Sequence, residues 1–234
     1  MTTTSTSPVA LVTGGSAGLG RATVTALASR GWQVLTDARD AVALSAATAG
    51  LPSVVAISGD VRDPRHHDAL VAATDRLGRL DLLIHNASEL GPMLPLADVV
   101  PALLTSVLET NLYAPLALTQ RLLPQLRAAD GALVAISSDA AIEHYPTWGA
   151  YAAGKAALDH VTLTLGAENG LRAYAVDPGD MRTAMHQRAF PGEDISDRPL
   201  PTTVVERLLA IVTDGRPSGR YRVVDEPALA EASR

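Results

Sequence analysis

The feature that most constrains this chain is an alternation. Short unbroken apolar runs, of the kind strands show when both faces are buried, recur between longer stretches of helical pattern. The runs fall at 9–12, 33–36, 53–57, 81–84, 133–136, 173–176 and 221–224. The helical stretches fall near 18–30, 41–48, 64–77, 99–126, 148–167 and 202–213. Strand, helix and strand in succession close as right-handed crossovers, so this order predicts a mostly seven-stranded parallel sheet with helices on both faces. A single doubly wound α/β domain accommodates all of it. That domain is expected over residues 8–226, with a flexible leader over 1–7 and a tail over 227–234. A Pro- and Gly-containing stretch near 185–201 reads as a loop or short substrate flap.

Composition narrows the function classes. With 47% hydrophobic residues the 234-residue chain can fill a sizeable core, and with 3% aromatics that core is built from Ala, Leu and Val. A net charge of -6 argues against a nucleic-acid partner, which needs basic surface. The absence of cysteine excludes disulfides and thiolate metal sites. The leader lacks a basic-then-apolar signal pattern, and no run is long enough to span a bilayer, so a cytoplasmic protein without membrane contact is expected. His66 and His67 are adjacent and cannot share a helix face, so they read as a solvated helix start and no metal site is expected.

Two clusters carry chemistry. The first strand runs into Thr13-Gly14-Gly15-Ser16-Ala17-Gly18-Leu19-Gly20 and then a helix. Glycines there let the backbone approach a pyrophosphate, and the helix start offers free N–H groups and a positive dipole end. The second is Tyr151 and Lys155, four apart on one helix face. A free phenol, with a pKa near ~10, is a poor proton donor and acceptor at neutral pH, and a nearby ammonium favours its ionised form. Lys155 is the only lysine; every other cation among the 19 Lys+Arg is arginine. Arginine can replace lysine on a solvated surface, but not where a compact ammonium is required. Upstream, a strand ends in Ser137-Ser138, at the sheet edge where open α/β sheets bind ligands.

In these residues the chain resembles the short-chain dehydrogenase/reductase family, of the non-extended type that includes 3-oxoacyl-carrier-protein reductases and related ketoreductases. The resemblance implies a Rossmann-type fold and, as catalytic residues, Ser138, thirteen positions before Tyr151, together with Tyr151, Lys155 and Asn111. It implies cofactor contacts from Gly14, Ser16, Gly18, Leu19 and Gly20 in the first turn. Asp60 and Val61 would lie at the adenine, and Asn86 and Ala87 after the fourth strand. Tyr151 and Lys155 would hold the nicotinamide ribose, with Pro178, Gly179, Met181 and Thr183 at the nicotinamide. The implied reaction moves a hydride between a nicotinamide cofactor and a ketone or secondary alcohol. Tyr151 would serve as acid and base, Ser138 would bond the substrate oxygen, and Asn111 would complete the proton path.

The chain departs from the family at His85 and Ser88, which replace an asparagine and a glycine, and at Tyr174, which replaces an asparagine. Cofactor choice turns on the end of the second strand. Ala38 stands where NAD enzymes place a carboxylate, and Arg39 follows, so NADPH is favoured. NAD remains possible, because Asp37 could serve if the strand end shifts. Glu89, Met93, His144, Tyr145, Trp148, Asp180 and Met185 are candidates for the substrate pocket. The family pairs the equivalents of the two long helices, near 99–126 and 148–167, across a two-fold axis, so the resemblance implies a homodimer or homotetramer. A nucleotide-sensing regulator and an extended-type dehydratase or epimerase are the alternatives. The first would be free to lose the Ser, Tyr and Lys that are present. The second needs a larger C-terminal region.

Overall fold

The protein is described by a computed structural model over residues 7–225. The expected tail, and all but the last residue of the expected leader, lie outside the described residues. The strands are β1 (Val9–Val12), β2 (Gln33–Ala38), β3 (Val54–Ser58), β4 (Leu82–His85), β5 (Ala132–Ile136), β6 (Arg172–Asp177) and β7 (Gly219–Arg222). Among the described residues they form one sheet in the order β3-β2-β1-β4-β5-β6-β7, and every pairing is parallel. The helices are α1 (Gly18–Ser29), α2 (Ala41–Thr48), α3 (Pro64–Leu77), α4 (Pro101–Leu108), α5 (Ala114–Ala128), α6 (Gly149–Asn169), α7 (Ala184–Ala189) and α8 (Pro201–Thr213). This is the doubly wound, Rossmann-type architecture expected from the alternation.

Successive strand residues point to opposite faces, and two cores result. Ala10, Val12, Val34, Ile84, Val134 and Val176 meet α1 and α8 through Leu27 and Leu208. Val9, Leu11, Leu83 and Leu133 meet α3 and α5 through Leu70, Leu118 and Leu122. The chain order reverses between β1 and β4, so their carboxyl ends open the crevice in which such sheets bind ligands. Among the described residues no helix is long and apolar enough to cross a membrane.

Four local expectations are corrected. β7 ends two residues earlier than the apolar run suggests, because Val223 begins a 3-10 turn over Val223–Asp225. β3 and β7 are edge strands, half-buried or exposed, so the rule that strands are buried on both faces fails for them. The helix expected over 99–126 is interrupted by a π-helical turn at Glu109–Tyr113. The flap begins with α7.

His66 and His67 supply a further correction, because both are buried. Asp63 caps α3 and fixes its first turn under the sheet edge. His66 Nε2 then meets Asp37 Oδ2 at 2.9 Å and His67 Nε2 meets the Val61 carbonyl. The two rings do take different faces, but both faces are covered.

Candidate active site

The crevice is a cleft of about 450 Å³ along the carboxyl edge of the sheet. Its cofactor end is built by the turn between β1 and α1. Gly14 has φ +75° and Gly18 has φ +54°, values that L side chains rarely adopt. A Cβ on Gly20 would stand 2.2 Å from the Gly14 carbonyl and 2.4 Å from Asn86 Nδ2. Asn86 holds this approach from β4: Nδ2 donates to the Thr13 and Gly14 carbonyls, while the Asn86 and Ala87 amides donate to Thr13 Oγ1. Ala17, at the N-cap of α1, supplies no side-chain cap, which leaves the first helical amides available at the cleft. That cradle fits the diphosphate of a dinucleotide.

Asp37 is fully buried. Its carboxylate accepts from the Gly14 amide at 2.8 Å and faces His66, so it is committed beneath the turn. Arg39, by contrast, is exposed at the rim of the cleft. Asp60 and Val61 line the same end, and Arg62 grips Asp60 with a two-pronged bond that lowers its carboxyl pKa.

At the other end, α6 presents Tyr151 and Lys155 to the end of β5. Lys155 is 1% exposed, and its Nζ donates to the Ile136 carbonyl at 2.7 Å. Burial pushes the ammonium down to about 8, with Asp159 opposing the fall. Tyr151 lies against the cleft with its phenol pKa raised well above the ordinary value. Burial is the main cause; hydrogen bonds with Ser138 and Ser88 act against it, and the charge of Asp139 adds to it. The lowering by Lys155 expected from the four-residue spacing does not set the direction here: desolvation does, and Nζ, 5.6 Å from the Tyr151 ring centroid, is turned to the Ile136 carbonyl.

Ser137 and Ser138 are told apart by their partners. Both border the cleft, but Ser137 Oγ donates to the buried Asp159 at 2.6 Å, whereas Ser138 Oγ faces Asp139. Arg220 reaches in from β7 to bond Asp159 and the Ser138 carbonyl, which fixes the turn that carries Ser138. Asn111 is fully buried in the π-helical turn. Its side chain accepts from Ser88 Oγ and the Glu89 amide and donates to the Glu89 carbonyl, so it fastens the segment after β4. His85 keeps a polar link under β4 through Thr119 Oγ1, and burial pushes its pKa down to about 3, so it is neutral there. Tyr174 is buried and donates to the Arg216 carbonyl.

Of the expected site residues, Gly14, Ser16, Gly18, Leu19, Arg39, Asp60, Val61, Asn86, Ala87, Ser138, Tyr151, Lys155, Pro178, Gly179, Met181 and Thr183 line the one cleft. Gly20 and Asn111 stand behind it. Thr183 also caps α7, accepting from the His186 amide. Trp148, Asp180 and Met185 border the cleft; Glu89, Met93, His144 and Tyr145 do not. Four residues escaped the sequence reading. Asp139 follows Ser138 directly, and Asp159 stands four after Lys155 on the same helix face, so spacing could have flagged both. Arg62 and Arg220 carried no such signal.

The chain matches the family model described as short chain dehydrogenase over residues 8–194. It is 37% identical to the uncharacterized oxidoreductase YciK of Escherichia coli over 139 residues, 58% of this chain and 55% of that protein. Over 97% of its length it is 33% identical to a Streptomyces virginiae protein assigned as the ketoacyl reductase of monensin polyketide synthase, covering 89% of that protein. Among solved structures it resembles a Shigella flexneri protein assigned as a short chain dehydrogenase and complexed with NADP. The TM-score is 0.86 at 28% identity, and the likeness covers 96% of this chain and all of that one.

Proposed function

The chain belongs to the short-chain dehydrogenase family and is an NAD(P)-dependent oxidoreductase, and from that premise we propose that it reduces a ketone, or oxidises the matching secondary alcohol, with Tyr151 as the group that gives or takes the proton. The observation that carries the reading is the convergence of Ser138, Tyr151 and Lys155 on one cleft whose far end is a glycine cradle. Bound in that cradle, the cofactor supplies the hydride.

The protein's part is binding, orientation and proton handling. The amides at the start of α1 would hold the diphosphate, with the glycine turn letting the backbone come close. Arg39 would grip a 2′-phosphate with its fork of donors; Asp37 is committed to Gly14 and His66, while Asp40 and Asp60, which line the same end, are engaged by the start of α2 and by Arg62. NADPH is therefore preferred over NADH; the Shigella relative complexed with NADP supports the same choice. Lys155 would hold the ribose hydroxyls. Ser138 donates to the substrate oxygen, which favours charge developing there. Tyr151, kept as phenol by its raised pKa, delivers its proton to that oxygen in reduction. Asn111 keeps Ser88 and Glu89 in register beside the tyrosine.

Assembly into a homodimer or homotetramer belongs to the same reading. Leu96, Val100, Leu103 and Tyr113, on and before the α4–α5 helix, are exposed apolar residues that an isologous contact would cover. The test of function is NADPH consumption with a panel of ketones. Ketone-dependent turnover is expected, and its absence with NADPH and NADH alike would overturn the proposal.

A further inference from the structure

The substrate end of the cleft contains a charge that proton delivery does not require. Asp139 is half-buried, directly after Ser138, and lines the cleft. Its Oδ1 accepts from Ser138 Oγ at 3.0 Å and from the Ala140 amide at 2.8 Å. Its Oδ2 accepts from the Tyr145 hydroxyl at 2.9 Å. All three partners are neutral. The arginines of β7 are engaged by Asp159 and Asp177. A carboxylate has about four acceptor positions, so one remains open.

We propose that Asp139 selects ketones that carry a hydrogen-bond donor, hydroxyl or ammonium, on the carbon next to the carbonyl, and rejects ketones in which that neighbouring carbon is a carboxylate. This rests on the oxidoreductase reading of the same site.

The Ser138 hydroxyl has a single proton to give. In the structure it points to Asp139. A ketone oxygen must take that proton, and the carboxylate is then left short of a donor in a half-buried place, which is costly. A neighbouring hydroxyl or ammonium on the substrate replaces the lost bond as the carbonyl takes the first. Ser138 Oγ and Asp139 Oδ1 stand 3.0 Å apart, so groups on adjacent carbons can address them side by side. An anion on that carbon would meet the carboxylate as a like charge. The influence of Asp139 on the reacting centre is already visible at Tyr151, whose phenol it helps hold protonated.

The remaining wall sets the rest of the substrate. Trp148 lines the cleft, backed by Phe190 at 5.7 Å between ring centroids, with Leu90 and Ala189 beside it. Those surfaces suit an apolar body, while Asp180 and, from the flap, His186 and Arg188 border the same cleft.

The test measures kcat/KM with NADPH for acetophenone, 2-hydroxyacetophenone, 2-aminoacetophenone and phenylglyoxylate, in the wild-type chain and in Asp139→Asn. The substitution keeps shape and removes charge. In the wild type, at least one donor-bearing ketone should exceed acetophenone by about tenfold or more, the scale of one charge-assisted bond. Phenylglyoxylate should fall below acetophenone. In the variant the donor preference should shrink to within about threefold, the scale of a neutral bond, and phenylglyoxylate should gain on acetophenone. Intrinsic ketone reactivity is the same for both proteins, so the change in ratio reports Asp139 alone. Equal use of the four ketones, or ratios unmoved by the substitution, would overturn the selection and leave the oxidoreductase reading standing. No turnover of any ketone would remove both.

Discussion

Lys155→Met should make the protein more stable while abolishing its activity. The ammonium is 1% exposed, and its hydrogen bond goes to a neutral carbonyl, Ile136 at 2.7 Å. Burial lowers it from 10.5 to about 8. At neutral pH the folded chain therefore carries a charge it would rather lose, at a cost of about 3 kcal/mol. Methionine fills a similar volume without charge, but leaves the Ile136 carbonyl unpaired, which costs about 1–2 kcal/mol. The net expectation at pH 7 is a gain of about 1–2 kcal/mol, or about 2–8 °C in Tm for a chain of this size.

The pH dependence gives the sharper check. The folded-state value lies below the unfolded one. Between about 8 and 10.5 the unfolded chain thus binds more protons, and wild-type stability rises with pH. The advantage of the variant should shrink across that window and then reverse to the lost hydrogen bond. Urea unfolding followed by circular dichroism, near neutrality and again inside the window, measures it. A variant less stable than wild type at neutral pH, or a gap that does not move between the two, would refute the reasoning.

Arg39→Ala should lower kcat/KM for NADPH by about 10–100-fold and leave NADH use nearly unchanged, as steady-state rates with both cofactors will tell. Gly20→Ala drives a Cβ into the Gly14 carbonyl and Asn86; it should lose about 1–3 kcal/mol in thermal unfolding and weaken cofactor binding in a fluorescence titration. Light scattering should give at least a dimer mass, and Leu103→Glu, on exposed apolar surface, should shift the mass toward the monomer; a monomeric wild type would contradict the assembly proposed.

The fold was legible because its signals are local and periodic. The bounds of β1, α2 and α3 follow from apolar runs and helix starts, and the Pro64 and Gly78 punctuation that frames α3 is present in both sequence and structure. What escaped depends on distant partners. Burial of His66 is decided by Asp37, twenty-nine residues away. The Arg220 clamp on Asp159 joins an edge strand to a helix sixty-one residues earlier. The π-helical turn at Asn111 has no periodic signature, since it alters the helix by a single register step. The spacing of Tyr151 and Lys155 on one helix was readable, but the high pKa of Tyr151 was not, because desolvation is a property of everything packed around the phenol.

The most direct test of the central claim is Tyr151→Phe, with ketone-dependent NADPH oxidation and NADPH binding measured on the same preparation. The ring and its contacts with Trp148 remain while the hydroxyl is lost. Turnover should fall by about two to four orders of magnitude, the contribution typical of a positioned proton donor, with the cofactor dissociation constant within a few-fold of wild type. Turnover close to wild type in that variant would contradict the assignment of Tyr151 as the proton donor.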